Sequence, residues 1–395
     1  MKSLLKICLS LLVISAFSCS EKSESSIVPN SYSLEILDSL DLAILGDPFI
    51  ADVKSDGSRF LFYDFASSDL IITNAEGEIQ SKFSKTEDTP DAYGFMMEIP
   101  GFFGSNQIAI VGMKGIFLYD YQGNMIKRMD HPESLGGAGF MAFPGKHTES
   151  TVINGNNYLI TKSVRSRDSF NGEMKFYETF KALELVEPES AKFIEMVPFE
   201  EESMFLNGTG YYESDYSPAF ETKDGKLYVG LGAEQKLHVY NLSEEGVSLD
   251  TTISFSIPGF GILDPKDLSE FSEGTVTING STPSLRNIHI IEGKILLHYY
   301  PGIDPQKMKE AEMLWEQGKP EEAGELFEKL EAELDQGLLI FDQKTLEQEG
   351  NILLPSGLNK DGFTSANGFL WIEKAANEEV EEDFLRIYKV KLVKK

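Results

Sequence analysis

The feature that most constrains this chain is a short strand–turn–strand theme that recurs from Tyr32 to the C-terminus. Phe60–Tyr63 precedes Asp69–Thr73, and the turn Asn74–Gly77 leads into Glu78–Phe83. The theme returns at Gln107–Val111, Gly115–Asp120 and Met125–Lys127, with Gln122–Asn124 as a turn, and again at Lys226–Val229 and Lys236–Tyr240. Further copies are Lys294–Leu297 with Leu338–Asp342, then Phe369–Ile372 with Phe384–Tyr388. Runs of β-branched and aromatic residues bounded by Gly, Asp and Asn read as antiparallel strands. Self-similar units of about four strands point to a propeller. Six units are predicted, at about 40–85, 91–130, 138–198, 215–256, 284–354 and 362–393.

The third unit is the least regular. Asn157–Ile160 and Lys175–Phe180 read as its strands, separated by polar Ser163–Asn171. The last unit lacks an outer strand, which Ser33–Leu37 can supply to close the ring. A seven-bladed ring, with a blade hidden near 257–283, is the alternative. One segment breaks the pattern. Asp304 as N-cap, Pro305 at the first helical position and Met308, Ala311, Leu314 and Trp315 on one face predict a helix. Gly318 ends it and Pro320 opens a second helix, with Ala323, Leu326, Phe327, Leu330 and Leu334 as its apolar stripe. The fold is therefore expected to be all-β, with a helical hairpin inserted at about 305–334 inside the fifth blade. That hairpin has the small and large positions of one tetratricopeptide repeat. A single copy cannot stack, so it reads as an ornament on the propeller.

The N-terminus carries an address. Lys2 and Lys6 precede an apolar run, Ile7–Phe17, of about eleven residues, too short for a membrane span of about twenty. Ala16-Phe17-Ser18 then places small residues before Cys19. Residues 1–18 read as a lipoprotein signal peptide, Cys19 as the lipidation site, 19–30 as a flexible polar tether and 31–395 as the propeller domain. The whole sequence has only two cysteines, Cys8 and Cys19. The processed body would hold no thiol, which excludes disulfides, thiol catalysis and thiolate metal sites. The net charge of −29 argues against nucleic acid and against lying flat on anionic lipid. The expected partners are a membrane, through the lipid, and a protein or small molecule at one propeller face, with the chain itself a monomer.

Motifs for chemistry are sparse. Gly137–Ala142 imitates a dinucleotide fingerprint, but no strand precedes it and Pro144 follows. There is no Gly-x-Ser-x-Gly elbow and no His-Glu-x-x-His pair, and His131, His147, His238, His289 and His298 are scattered. No cofactor and no metal site is implied. What survives is geometric: segments leading into the innermost strands lie at the mouth of a propeller's channel. They carry Asp91 and Tyr93, Phe140, Asp215 and Tyr216, Arg286 and Asn287, and Asp361 and Phe363, the candidate ligand-binding residues. Arg165 and Arg167 stand out in an acidic chain as candidate anion contacts.

Ala16–Cys19, Asp215–Phe220 and the Leu237-His238-Val239-Tyr240 type of strand together resemble Bacteroidetes lipoproteins of unknown function with TolB-like six-bladed propellers. The resemblance implies the fold and a cell-envelope location, at the outer membrane and either periplasmic or surface-exposed. Function is expected to be ligand or protein binding. The alternative is a propeller enzyme, a lyase or a lactone or ester hydrolase, acting at the channel mouth, because fold alone does not choose.

Overall fold

The computed structural model describes residues 32–395 apart from 45, 47, 134, 136–147, 164, 275–278 and 377–382. The leader, Cys19 and the tether, Phe140 and the glycine-rich Gly137–Ala142 lie outside the described residues. The first strand, β1 (Tyr32–Leu42), joins the last blade. Blade 1 comprises β2 (Pro48–Val53), β3 (Arg59–Asp64), β4 (Asp69–Asn74) and β5 (Ile79–Phe83). Blade 2 comprises β6 (Gly101–Phe103), β7 (Gln107–Gly112), β8 (Gly115–Asp120) and β9 (Met125–Met129). Blade 3 has β10 (Glu149–Ile153), β11 (Asn156–Lys162), β12 (Leu183–Glu187) and β13 (Lys192–Met196), with helix α1 (Met174–Thr179) between β11 and β12. Blade 4 has β14 (Pro218–Lys223), β15 (Lys226–Leu231), β16 (Lys236–Ser243) and β17 (Gly246–Ser254). Blade 5 has β18 (Ser284–Ile291), β19 (Lys294–Tyr300), β20 (Gly337–Asp342) and β21 (Gln348–Leu353). Helices α2 (Pro305–Glu316) and α3 (Pro320–Ala332) form the hairpin between β19 and β20. Blade 6 has β22 (Leu358–Ala366), β23 (Phe369–Lys374) and β24 (Leu385–Lys394).

Each sheet is antiparallel and four-stranded, and its first strand touches the first strands of its neighbours around the ring. This is a six-bladed β-propeller. The described residues of 257–283 hold no seventh blade: they are loop with one short 3-10 turn, Leu268–Glu270. The ring closes as the sequence predicts. β1 pairs with β24 from Tyr32 opposite Lys394 to Leu42 opposite Leu385, supplying the outer strand of blade 6.

The middle strands read as unbroken apolar runs because both faces of each blade are covered. Strand alternation then divides each run between two cores. Leu61 and Tyr63 of β3 pack toward blade 2, against Ile108, Ile110 and Phe117. Phe60 and Phe62 of the same strand pack toward blade 6, against Ala366 and Ile387. Outer strands face water and alternate, so β5 and β9 are mostly exposed or half-buried.

The third blade departs from the expected strands. Lys175–Phe180 is largely helical rather than extended: α1 buries Phe176 and Tyr177. With Phe180, these rings join Phe199, Phe205, Tyr211 and Tyr216 in an aromatic knot between blades 3 and 4. The outer strands are instead β12 and β13. The hairpin forms as predicted and packs Leu330 onto Tyr300 and Ile303. Trp315, however, faces solvent at 66% exposure, so the buried side of α2 is reduced to Ala311 and its neighbours.

Candidate functional site

Two ends of the ring can receive a ligand. At the lower end, where the first and second strands of each blade turn, a cavity of about 640 Å³ is lined by all six blades. Its acidic lining includes Asp52, Glu149 and Glu221. Two of these acids hold blades together. Asp52 Oδ2 accepts the Phe102 amide of the next blade at 2.7 Å, and Glu149 Oε1 accepts the Thr222 amide at 2.6 Å. Glu373 and Glu98 do the same for the Ile50 and Lys162 amides. Innermost strands would otherwise present open edges to the channel, so these carboxylates have a structural task.

The upper end carries the sequence-predicted residues, but they fall into separate corners. Asp91 pairs with Lys85 Nζ at 2.5 Å, which holds its carboxyl below the usual range. Tyr93 is fully buried in the core between blades 1 and 2. Arg165 Nε donates to Glu184 Oε1 at 2.8 Å, while Arg167 bonds Glu195 and Ser163. Both guanidinium groups are thus engaged by acids of blade 3.

Arg286, Asn287, Asp361 and Phe363 lie inside β18 and β22 rather than in the segments before them. The structure joins Arg286 and Asp361 across blades 5 and 6 at 2.7 Å, with the guanidinium 3.9 Å above the Tyr300 ring. Asn287 Oδ1 accepts the Ile288 amide at 2.8 Å. The Phe363 ring lies 4.9 Å from both His289 and His298. His298 is buried and its pKa is lowered to about 4, so it is a neutral framework histidine near pH 7.

Asp215 and Tyr216 differ from all of these. They sit on the 3-10 turn Glu213–Tyr216 ahead of β14. Tyr216 pins the turn in the aromatic knot, its ring 5.2 Å from Phe180 and 5.8 Å from Phe199 and Phe205. Behind the turn runs Gly232, at φ +44°, where a β-carbon would fall 1.8 Å from the Asp215 carbonyl oxygen. Only glycine allows that approach, and the Ala233 amide then donates to the same carbonyl at 2.8 Å. Fixed from two sides, Asp215 is only 4% exposed. Its Oδ2 accepts the Tyr212 amide at 2.9 Å, while Oδ1 is buried without a hydrogen bond. Burial pushes its pKa up to about 6, against a smaller opposing pull led by the Tyr212 amide. A carboxylate with one unanswered oxygen is costly to bury.

That side chain lines a pocket of about 250 Å³. Its walls come from two segments the sequence left unassigned to a site. Residues 261–266 and 279–283 contribute Ile262, Leu263, Lys266 and Thr282, and α2 contributes Met308 and Glu312. Ile262, at 90% exposure, stands at its rim. Among the described residues, no group of three or more His, Cys, Asp and Glu side chains is arranged to hold a metal ion.

No family model matches the chain, and no curated protein matches it in sequence. Solved structures do match in fold. A member of the DUF4221 family from Bacteroides vulgatus aligns with a TM-score of 0.60 at 12% identity, covering 93% of this chain and 99% of that one. A protein from Bacteroides fragilis, described as exported, aligns with a TM-score of 0.52 at 12% identity, covering 94% and 98%. At such identity the likeness concerns the propeller fold alone.

Proposed function

We propose that this chain is a lipid-anchored envelope protein that binds a ligand in the pocket between the Asp215 turn and the helical hairpin. The observation that carries this reading is the buried, unanswered Oδ1 of Asp215 inside a concave, mixed apolar and polar pocket. Such a group is destabilising unless something outside the fold completes it. The hairpin supports the same reading. It is inserted in blade 5, and α2 supplies one wall of the pocket through Met308, Lys309 and Glu312.

The anchor follows from the leader and Cys19, and it has a geometric consequence. β1 ends at Leu42, directly before the loop into β2, so it ends at the upper face. Its first residue, Tyr32, paired with Lys394, therefore sits at the lower face. A lipid on Cys19 would hold the ring by that lower rim through a tether of at most about 45 Å when fully extended. The pocket face would point away from the bilayer. Ligand-observed NMR with a fragment set of organic cations, anions and neutral molecules tests the binding reading. Fragments are expected to bind the parent and to lose binding in Ser281→Trp, which fills the pocket, with the far-ultraviolet spectrum unchanged. No binding to the parent, or equal binding to both proteins, overturns it.

A further inference from the structure

We infer that the pocket takes an organic monocation, a primary ammonium group on a short apolar body, with the ammonium seated on Asp215. This rests on the reading that the pocket binds a ligand, and it names the ligand's chemistry. Four observations lead to it.

The first is the acceptor. Oδ1 of Asp215 is the atom without a partner, and Oδ2 is already used by the Tyr212 amide. A guanidinium prefers both oxygens of a carboxylate in a two-pronged contact. A divalent metal needs several ligands, and no group of three or more candidate ligand residues is assembled among the described residues. An ammonium is a compact point charge that one oxygen can satisfy. The second is a further acceptor beside the first. The Thr282 hydroxyl donates to the Asn279 carbonyl at 3.0 Å, which leaves its oxygen lone pairs for a donor in the pocket.

The third is the charge balance. Outside Asp215, the lining holds Asp264 and Glu312 against Lys266 and Lys309. Lys266 Nζ pairs with Asp264 at 2.7 Å. The rim is therefore neutral overall, and an ionised Asp215 leaves one negative charge for one positive charge to meet. A dication would bring a second charge to a rim that has no net negative charge to answer it. The fourth is the apolar wall. Leu263, Ile303 and Met308 border the cavity, and Ile262 stands exposed beside them. A hydrocarbon body of several carbons would cover that surface, at about 0.8 kcal/mol per buried methylene.

The charged and titratable groups around Asp215 are Glu213, Tyr212 and Tyr216 on its own turn, Tyr177 from α1, Asp264 and Lys266 from the loop, and Lys309 and Glu312 from α2. Because Asp215 gains its proton near pH 6, the site should weaken in acid while the ammonium stays charged.

The test titrates the full chain with hexylammonium chloride, 1-hexanol and hexanoate by calorimetry at pH 7.5. Hexylammonium is expected to bind one site at least tenfold more tightly than 1-hexanol, with hexanoate weaker still. Asp215→Asn should remove that preference. Lowering the pH to 5 should weaken hexylammonium about tenfold, with nearly one proton released per ligand bound. Ser281→Trp should abolish binding of hexylammonium and hexanol alike. If hexanol matches hexylammonium, or if Asp215→Asn keeps the preference, the ammonium assignment falls while the pocket survives as a binding site. If none of the three probes binds the parent, the assignment falls as well, and the fragment survey decides separately on the pocket.

Discussion

Asp215 and Asp361 both lie at the upper face beside the helical hairpin, one near α2 and the other near α3. Asp361 is answered within the fold: Arg286 donates to it at 2.7 Å and is itself stacked on Tyr300. Asp215 is the more deeply buried of the two and is answered on one oxygen only, by a neutral backbone amide. The contrast separates two uses of a carboxylate. An acid closed by a cation of its own chain ties blades together. An acid left half open stores a cost that a ligand can relieve. The same distinction sorts the rest of the upper face. Asp91, Arg165 and Arg167 all have charged partners within the chain.

The largest effect should come from breaking the closed corner. Arg286→Met removes the cation over Tyr300 and strands Asp361 between blades 5 and 6. The expected loss is about 2–4 kcal/mol in urea unfolding at pH 7. Adding Asp361→Asn should recover most of it, since the stranded charge rather than the lost contact carries the cost. A loss below about 1 kcal/mol would class the pair with ordinary surface ion pairs and dissolve the contrast.

The open corner should respond with the opposite sign. Asp215 has its pKa raised in the folded state, from an ordinary value of 3.8 to about 6. Below pH 3.8 the group is protonated in both states and costs nothing. Between there and pH 6 the unfolded chain gives up its proton first, so stability falls as pH rises, and above pH 6 the full cost is present. That cost is at most roughly 3 kcal/mol. Asp215→Asn should therefore stabilise the free protein by about 1–2 kcal/mol at pH 7.5, after the penalty of a poorly paired amide. The gain should shrink steadily toward pH 4.5. His298 pulls the other way: with its pKa lowered by burial from 6.5 to about 4, it is neutral in both states above pH 6.5 and costs nothing there, and it opposes folding as the pH falls toward 4. Comparing the variant with its parent at each pH cancels that contribution. A destabilised Asp215→Asn at pH 7.5 would show that the carboxylate is already satisfied.

Much of the ring was legible in the sequence because each blade repeats one pattern and each turn is short. Tyr32–Leu42 could be placed on the last blade since that blade lacked a strand. The hairpin was legible from Asp304-Pro305 and two helical stripes. Lys175–Phe180 was not, because alternating aromatics suit a strand as well as one helical turn, and packing against Tyr216 and Phe199 decides between them. The site was legible by half. Asp215 and Tyr216 follow from their place before an innermost strand. Lys266, Thr282 and Met308 do not, as the fold brings them to Asp215 from 51 to 93 positions away. Nor does sequence reveal that Arg165 and Arg167 are occupied by Glu184 and Glu195, partners set by the register of β12 with β13.

The smallest effect belongs to Glu331 on α3, and it sharpens the comparison most finely. Burial raises its pKa, an effect offset in part by Arg286 and reinforced by Asp361. Glu331 thus competes with Asp361 for one guanidinium, while lying partly in solvent where such competition is screened. Glu331→Gln should change stability by less than about 0.5 kcal/mol at pH 7, in the stabilising direction, as measured by urea unfolding. It should leave the rescue of Arg286→Met by Asp361→Asn intact. A loss above about 1 kcal/mol, with the rescue abolished, would mean that the hairpin rather than β22 supplies the anion for Arg286. The closed corner would then depend on the same insertion that walls the open one, and the two acids could not be tuned independently.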